Sequence, residues 1–207
     1  MPEKPDYDEQ LHAVWSALRA GVESAKQPFH TGALANVGSH SGEPFAAEVR
    51  TVVIRDVDGD GWSVGINSDL RSPKIKEIES TPGVSLLFYD APGRRQIRLR
   101  GRASIHNRDA KAAERWKTVA DQSRECYRSP LGPSTTLSGG ATLPGDTTLP
   151  ADRLRPGSLS DAEAFRNFCF VAITVTEVEA LFLDHRGHQR LKWVRTPSGV
   201  ETVELAP

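Results

Sequence analysis

The sequence predicts a mainly β protein, an antiparallel β-barrel with flanking helices. Three observations carry this. Six or more segments are rich in β-branched and aromatic residues and are bounded by turn residues. Several joints are hairpin-length, as at Asp58-Gly59-Asp60-Gly61 and Ala91-Pro92-Gly93-Arg94. Helical periodicity is confined to a few stretches, too few for alternation of strand and helix.

Over residues 7–25, Leu11, Val14, Trp15, Leu18 and Val22 recur at the i, i+3, i+4, i+7 spacing of an amphipathic helix, which Gln27-Pro28 ends. FHTGALANVG (29–38) reads as the first strand, with SHSGEP as its turn. FAAEVRTVVIRDV (45–57) is long for an ordinary strand and suits one that crosses a barrel with a bulge. After the DGDG turn, WSVGIN (62–67) is the next strand. SPKIKEIES (72–80) is a short helix, stopped by Thr81-Pro82-Gly83. VSLLFYD (84–90) and RQIRLRGRASIH (95–106) are strands, and alternation puts Gln96, Arg98, Arg100 and Arg102 on one face of the second. Residues 109–126 read as one helix with Asp109 as N-cap. Residues 128–160, dense in Pro, Gly, Ser and Thr, read as a long loop. SDAEAFRNF, from Ser160, carries a capping signature. FCFVAITVTEVEALFLD (168–184) is two strands or one bent strand, and RLKWVRTP and GVETVELA follow as strands.

The 207 residues suit a single domain. A net charge of −1 offers no general attraction to nucleic acid or anionic membrane. No apolar run reaches the roughly 20 residues of a membrane span. The first residues, MPEKPDYDEQ, are unlike a signal peptide, and Cys126 and Cys169 are isolated. A cytoplasmic protein is expected.

Three cations, Arg50, Arg71 and Lys74, stand at element ends. Arg71 and Lys74 flank a helix start, where the macrodipole disfavours positive charge and a bound dianion would remove the conflict. A phosphate is the expected guest. Arg50, on a strand among apolar neighbours, is either a ligand contact or an arginine with a carboxylate partner. The arginine stripe reads as the wet face of an antiparallel sheet. His185 and His188 lie in a polar turn without further ligands, so no metal is expected.

Five groups in order, RTVVIR, WSVGIN followed by LRS, PGVSLLFY, RRQIRLRGRA and RLKWVR, resemble the pyridoxamine 5′-phosphate oxidase-like superfamily. The resemblance runs from Gly32 to Arg195 and implies an FMN-binding split β-barrel over residues 1–207, with the long loop at about 128–160. It implies FMN as cofactor, held at the interface of a homodimer. It implies flavin contacts along Arg50, Thr51, Val52, Val53 and Arg55, with Gly65 and Ile66 on the next strand. Arg71, Ser72 and Lys74 fall at the family's phosphate site, Ser72 standing where the family has lysine. Gln96 and Arg190 match a glutamine and an arginine that reach the flavin. The family's tryptophan is replaced near Leu181, and its R-x-H substrate motif by Gly187-His188-Gln189. The implied activity is flavin-dependent oxidoreduction of a small molecule, with hydride passing to flavin N5 and no general acid or base nominated. Arg55, Trp116, Arg124 and Tyr127 are candidates for the substrate side. A non-catalytic flavin module and a deazaflavin- or haem-handling protein are the alternatives on the same fold.

Overall fold

The computed structural model describes residues 6–40, 43–135 and 159–207. Most of the long loop expected at 128–160, and part of the turn expected at SHSGEP, lie outside the described residues. Contacts divide the chain into two compact units, Met1–Asn67 with Lys76–Ile105 and Val171–Pro207, and Ser68–Ile75 with His106–Phe170.

The first unit opens with helix α1 (Tyr7–Glu23), capped by the Asp6 carboxylate, which accepts from the Asp8 and Glu9 N–H groups. Its apolar stripe buries Val14, Trp15 and Leu18. Gly21 is required by a close approach, since a Cβ there would lie 2.5 Å from the Phe29 carbonyl oxygen. The strands are β1 (Thr31–His40), β2 (Glu43–Asp58), β3 (Ser63–Asp69), β4 (Gly83–Asp90), β5 (Arg95–His106), β6 (Phe168–Phe182), β7 (Gln189–Thr196) and β8 (Gly199–Leu205). They form one sheet in the order β3-β2-β1-β4-β5-β6-β7-β8. A further β3–β6 pairing closes the first six into a barrel. The fold is mainly β with flanking helices, an antiparallel barrel as the strand pattern predicts and a split one as the family resemblance implies.

The closed geometry explains the length of β2. It runs 16 residues, and its register against β3 slips between Ile54 and Asp56, leaving Arg55 as a bulge. Segment 168–184 proves to be one long strand, β6. It lies so close to β5 that a Cβ on Gly101 would sit 2.2 Å from the Thr174 carbonyl oxygen. Leu34, Ile54, Ile66, Leu86, Phe88, Ile97, Leu99, Val178, Leu191 and Trp193 fill the interior. Trp193 also donates its indole N–H to the Tyr7 carbonyl.

In the second unit, α3 (Ala110–Thr118) is capped by Asp109, and α5 (Asp161–Asn167) by a reciprocal Ser160–Glu163 capping box. One helix over 109–126 is not observed. It breaks at Val119-Ala120, and a four-residue turn, α4 (Asp121–Arg124), follows. The Arg124 guanidinium donates to the Trp116 and Val119 carbonyls, satisfying the exposed end of α3. Trp116, Tyr127, Phe165 and Phe168 pack with ring centroids 5.1–5.9 Å apart. Helix α2 (Pro73–Ser80) begins in this unit and ends in the first.

Candidate functional site

In the barrel unit, alternation along β2 divides the expected cofactor positions between two faces. Arg50 pairs in register with the buried Leu34 and shares its inner face. It donates to Asn36 Oδ1 (2.9 Å), Glu77 Oε2 (3.2 Å) and Glu48 Oε2 (3.1 Å). The carboxylate-partnered alternative therefore describes its side chain. Thr51 lies on the outer face, opposite Ala33, and Val52 and Val53 are half-buried. Arg55, on the bulge, is exposed. Gly65 and Ile66 are buried in β3, opposite Asp56 and Ile54.

Gln96 stands on the outer face of β5, opposite Tyr89, and Arg98 follows opposite Leu87. On the neighbouring strands this face carries Glu179 and Arg190. Glu179 Oε1 accepts from Arg190 Nε (3.0 Å) and Nη2 (2.6 Å), and Oε2 accepts from Arg98 Nη2 (2.5 Å). Glu179 is 6% exposed. Burial alone would raise its pKa, but the hydrogen bonds from Arg190 and Arg98 outweigh that and hold the carboxyl below the usual range. Arg100 reaches Glu177 at 3.4 Å. The stripe is a wet face only at its far end, since Arg98 closes over a buried acid.

In the second unit, Arg71, Ser72 and Lys74 gather at the start of α2. Asp69 dominates this corner. Its carboxylate accepts from the Arg71 backbone N–H (2.8 Å), Nε (3.0 Å) and Nη2 (2.7 Å). Arg71 Nη1 donates to the Ser129 and Pro130 carbonyls. The hydrogen bond to Asp69 raises the Arg71 pKa further above neutrality. The chain thus supplies its own anion at the helix start, which relieves the macrodipole conflict seen in the sequence. Lys74 Nζ donates to the buried Ser72 hydroxyl at 3.2 Å. Trp116 and Tyr127, considered for the substrate side, are buried in the aromatic cluster, with the Arg124 guanidinium 4.8 Å above the Trp116 ring.

Two orphaned atoms test whether a flavin suits these residues. Asn67 Oδ1, next to Ile66, and Arg98 Nε, beside Gln96, are buried with no hydrogen-bond partner among the described residues. Leaving such a group unpaired costs about 1–3 kcal/mol. A flavin offers both complements: hydroxyl and ring N–H donors for Asn67, and ring carbonyls for Arg98. The donor set fits.

Asp69, Asn67, Arg98 and Glu179 are the members that sequence reasoning passed over as partners. Glu179 had a readable signal, an acid within the apolar run of β6. The pairing of Asp69 with Arg71 depends on a turn that composition does not specify.

The fold is that of an antiparallel split barrel. Residues 12–107 match the family model for the pyridoxamine 5′-phosphate oxidase, FMN-binding domain. Over that stretch, which is under half of the chain, the matched domain is an FMN-binding one. A pyridoxine/pyridoxamine 5′-phosphate oxidase of Rippkaea orientalis is 39% identical over 66 residues, 32% of this chain and 29% of the relative. The alignment thus spans under a third of that relative's length. A pyridoxamine 5′-phosphate oxidase-related, FMN-binding protein of Nostoc punctiforme superposes with a TM-score of 0.69 at 20% identity, covering 95% of this chain and 96% of that one. PhzG of Burkholderia lata, solved with tetrahydrophenazine-1-carboxylic acid, superposes with a TM-score of 0.69 at 19% identity, covering 100% and 97%. These two likenesses concern the fold.

Proposed function

We propose that this chain is an FMN-dependent oxidoreductase acting on a small molecule, and that it works as a homodimer with the flavin at the subunit interface. The observation that carries the flavin reading is the pair of orphaned atoms, Asn67 Oδ1 and Arg98 Nε, at positions flanking expected cofactor contacts. Bound FMN supplies redox chemistry that no side chain here offers. The edge of β2 from Arg50 to Val53, with Arg55, Gly65 and Ile66, lies along the ring. Gln96 and Arg190 bond to it, and Ser72 and Lys74, with Arg71, hold the phosphate.

The division of faces supports the dimer. Arg50 faces inward and Gln96 faces outward on the same sheet, so one chain's two faces cannot both meet one ring. A second copy supplies the missing face. The outer face also leaves Phe45, Val49, Leu87 and Tyr89 exposed, which suits a covered surface.

Contrary to the expected replacement, the turn ahead of Arg190 reads Arg186-Gly187-His188, an R-x-H; what supports a substrate other than pyridoxamine 5′-phosphate is that its groups are engaged within the turn. Its arginine, Arg186, is paired through Nε and Nη2 with Asp184, and His188 Nδ1 accepts the Asp184 N–H. A dianionic substrate needs several cations aimed at its phosphate.

Mass spectrometry of the heat-released cofactor tests the first claim. FMN is expected; FAD, or no flavin after reconstitution, overturns it. Lys74→Ala probes the phosphate anchor. Loss of a charge-assisted bond of about 1.5–3 kcal/mol weakens FMN binding roughly ten- to a hundredfold. Riboflavin, which lacks the phosphate, is affected far less. FMN-loaded protein given pyridoxamine 5′-phosphate under oxygen is expected to form little pyridoxal phosphate. Turnover on the order of 1 per second with micromolar KM would refute that claim.

A further inference from the structure

The outer face holds an arrangement that goes beyond ring contacts by Gln96 and Arg190. Two arginines from non-adjacent strands, Arg98 of β5 and Arg190 of β7, meet on one nearly buried carboxylate of the strand between them. Both oxygens of Glu179 are taken, Oε1 by Arg190 and Oε2 by Arg98. Arg190 is gripped through two N–H groups, which fixes the plane of its guanidinium. Arg98 is gripped through Nη2 alone, and its buried Nε has no acceptor among the described residues. Lys192 stands opposite Glu179 in the β6–β7 register. Cations therefore outnumber the acid that gathers them. A structural ion pair needs one arginine; two on one carboxylate, with a buried N–H unpaired, suit a further acceptor.

We propose that Glu179 is a positioning residue, which sets Arg98 and Arg190 side by side as a cationic edge for the flavin ring, with Arg98 a ring contact beside Gln96. This rests on the reading that the chain binds FMN with Gln96 and Arg190 toward the ring. Without the acid, two long like-charged side chains separate and regain their rotamer freedom. With it, their N–H groups stand ready where the reduced ring gathers negative charge.

Flavin titrations and one midpoint potential test this. Glu179→Gln keeps the side-chain shape and removes the charge. The dissociation constants of FMN and riboflavin are expected to rise together, by about tenfold, the loss of one charge-assisted contact. Lys74→Ala is expected to weaken FMN alone, which separates a ring effect from a phosphate effect. The flavin midpoint potential is expected to fall in Glu179→Gln, because the cations leave the ring. An acid acting only by its charge would do the reverse, since its removal leaves more positive charge and raises the potential. Wild-type affinity for both flavins, or a raised potential, overturns the proposal. Wild-type protein that binds neither flavin instead sinks the FMN reading itself. If circular dichroism shows Glu179→Gln unfolded, Arg98→Gln, which keeps the Glu179–Arg190 pair, decides. An equal weakening of both flavins supports the inference, and unchanged binding overturns it.

Discussion

Glu179 shows how far one residue's setting departs from its type. An acid in a strand is ordinarily exposed, yet this one is 6% exposed and bonded to two arginines. Its pKa lies below the ordinary 4.5, burial opposing and the two hydrogen bonds prevailing. A carboxyl with a lowered folded pKa adds stability that is complete above its unfolded value and is lost as pH falls through the folded one. Glu179→Gln is therefore expected to cost about 1–3 kcal/mol near neutrality, less than for a fully buried pair because the arginines stay partly hydrated. Urea midpoints of wild type and variant should converge as pH drops below about 4. A gap that persists unchanged into strong acid would show that charge is not the cause. Asp69 teaches the same lesson from the other direction. The sequence presents Arg71 and Lys74 as cations awaiting an anion, whereas the turn brings Asp69 onto three donors of Arg71. That pairing was not legible, because a carboxylate two residues away meets a guanidinium only if the backbone folds back.

At the scale of the element, alternation and turn chemistry were the readable signals. The Asp58–Gly61 turn closes on itself, with the Asp58 carboxylate accepting from the Gly61 N–H. The helix from 109 was misread because its apolar spacing continues past Thr118, while the carbonyls at its end are met by Arg124 from beyond the break. Gly101 is the sharpest test of strand packing. A methyl group there would press on the Thr174 carbonyl, and backbone cannot yield as a flexible side chain can. Gly101→Ala is expected to cost about 1–3 kcal/mol by overpacking, whereas the neighbouring exposed Arg102→Ala stays within about 0.5 kcal/mol. Thermal unfolding of the two variants side by side checks this, and equal stability would place the strands farther apart than described.

For the whole molecule, the outer face carries the heaviest prediction. Register rows run Thr51–Ala33–Leu87–Arg98 and Val49–Ala35–Ser85–Arg100, placing small and apolar side chains beside the arginines. A stable dimer of ordinary size buries about 1,600 Å² in total, with an apolar centre. Leu87→Asp is therefore expected to turn a flavin-loaded dimer into a flavin-poor monomer, read by light scattering with absorbance on one column. Wild-type protein that elutes as a monomer yet carries full flavin would remove the shared site. The mainly β class, the run of strands along the chain, the family motifs and the expectation of an FMN phosphate were all readable from the residues alone. Those depend on local propensity, period and spacing, which a linear text records. The β3–β6 pairing, the β2 bulge at Arg55 and the single strand over 168–182 emerged only in three dimensions. The tertiary structure alone set Arg50 among Glu48 and Glu77, and Glu179 between Arg98 and Arg190. The physical reason is that a charged side chain takes its character from partners distant in the chain. Arg98 and Glu179 stand 81 residues apart, and only the laying of β6 beside β5 brings such groups within a hydrogen bond.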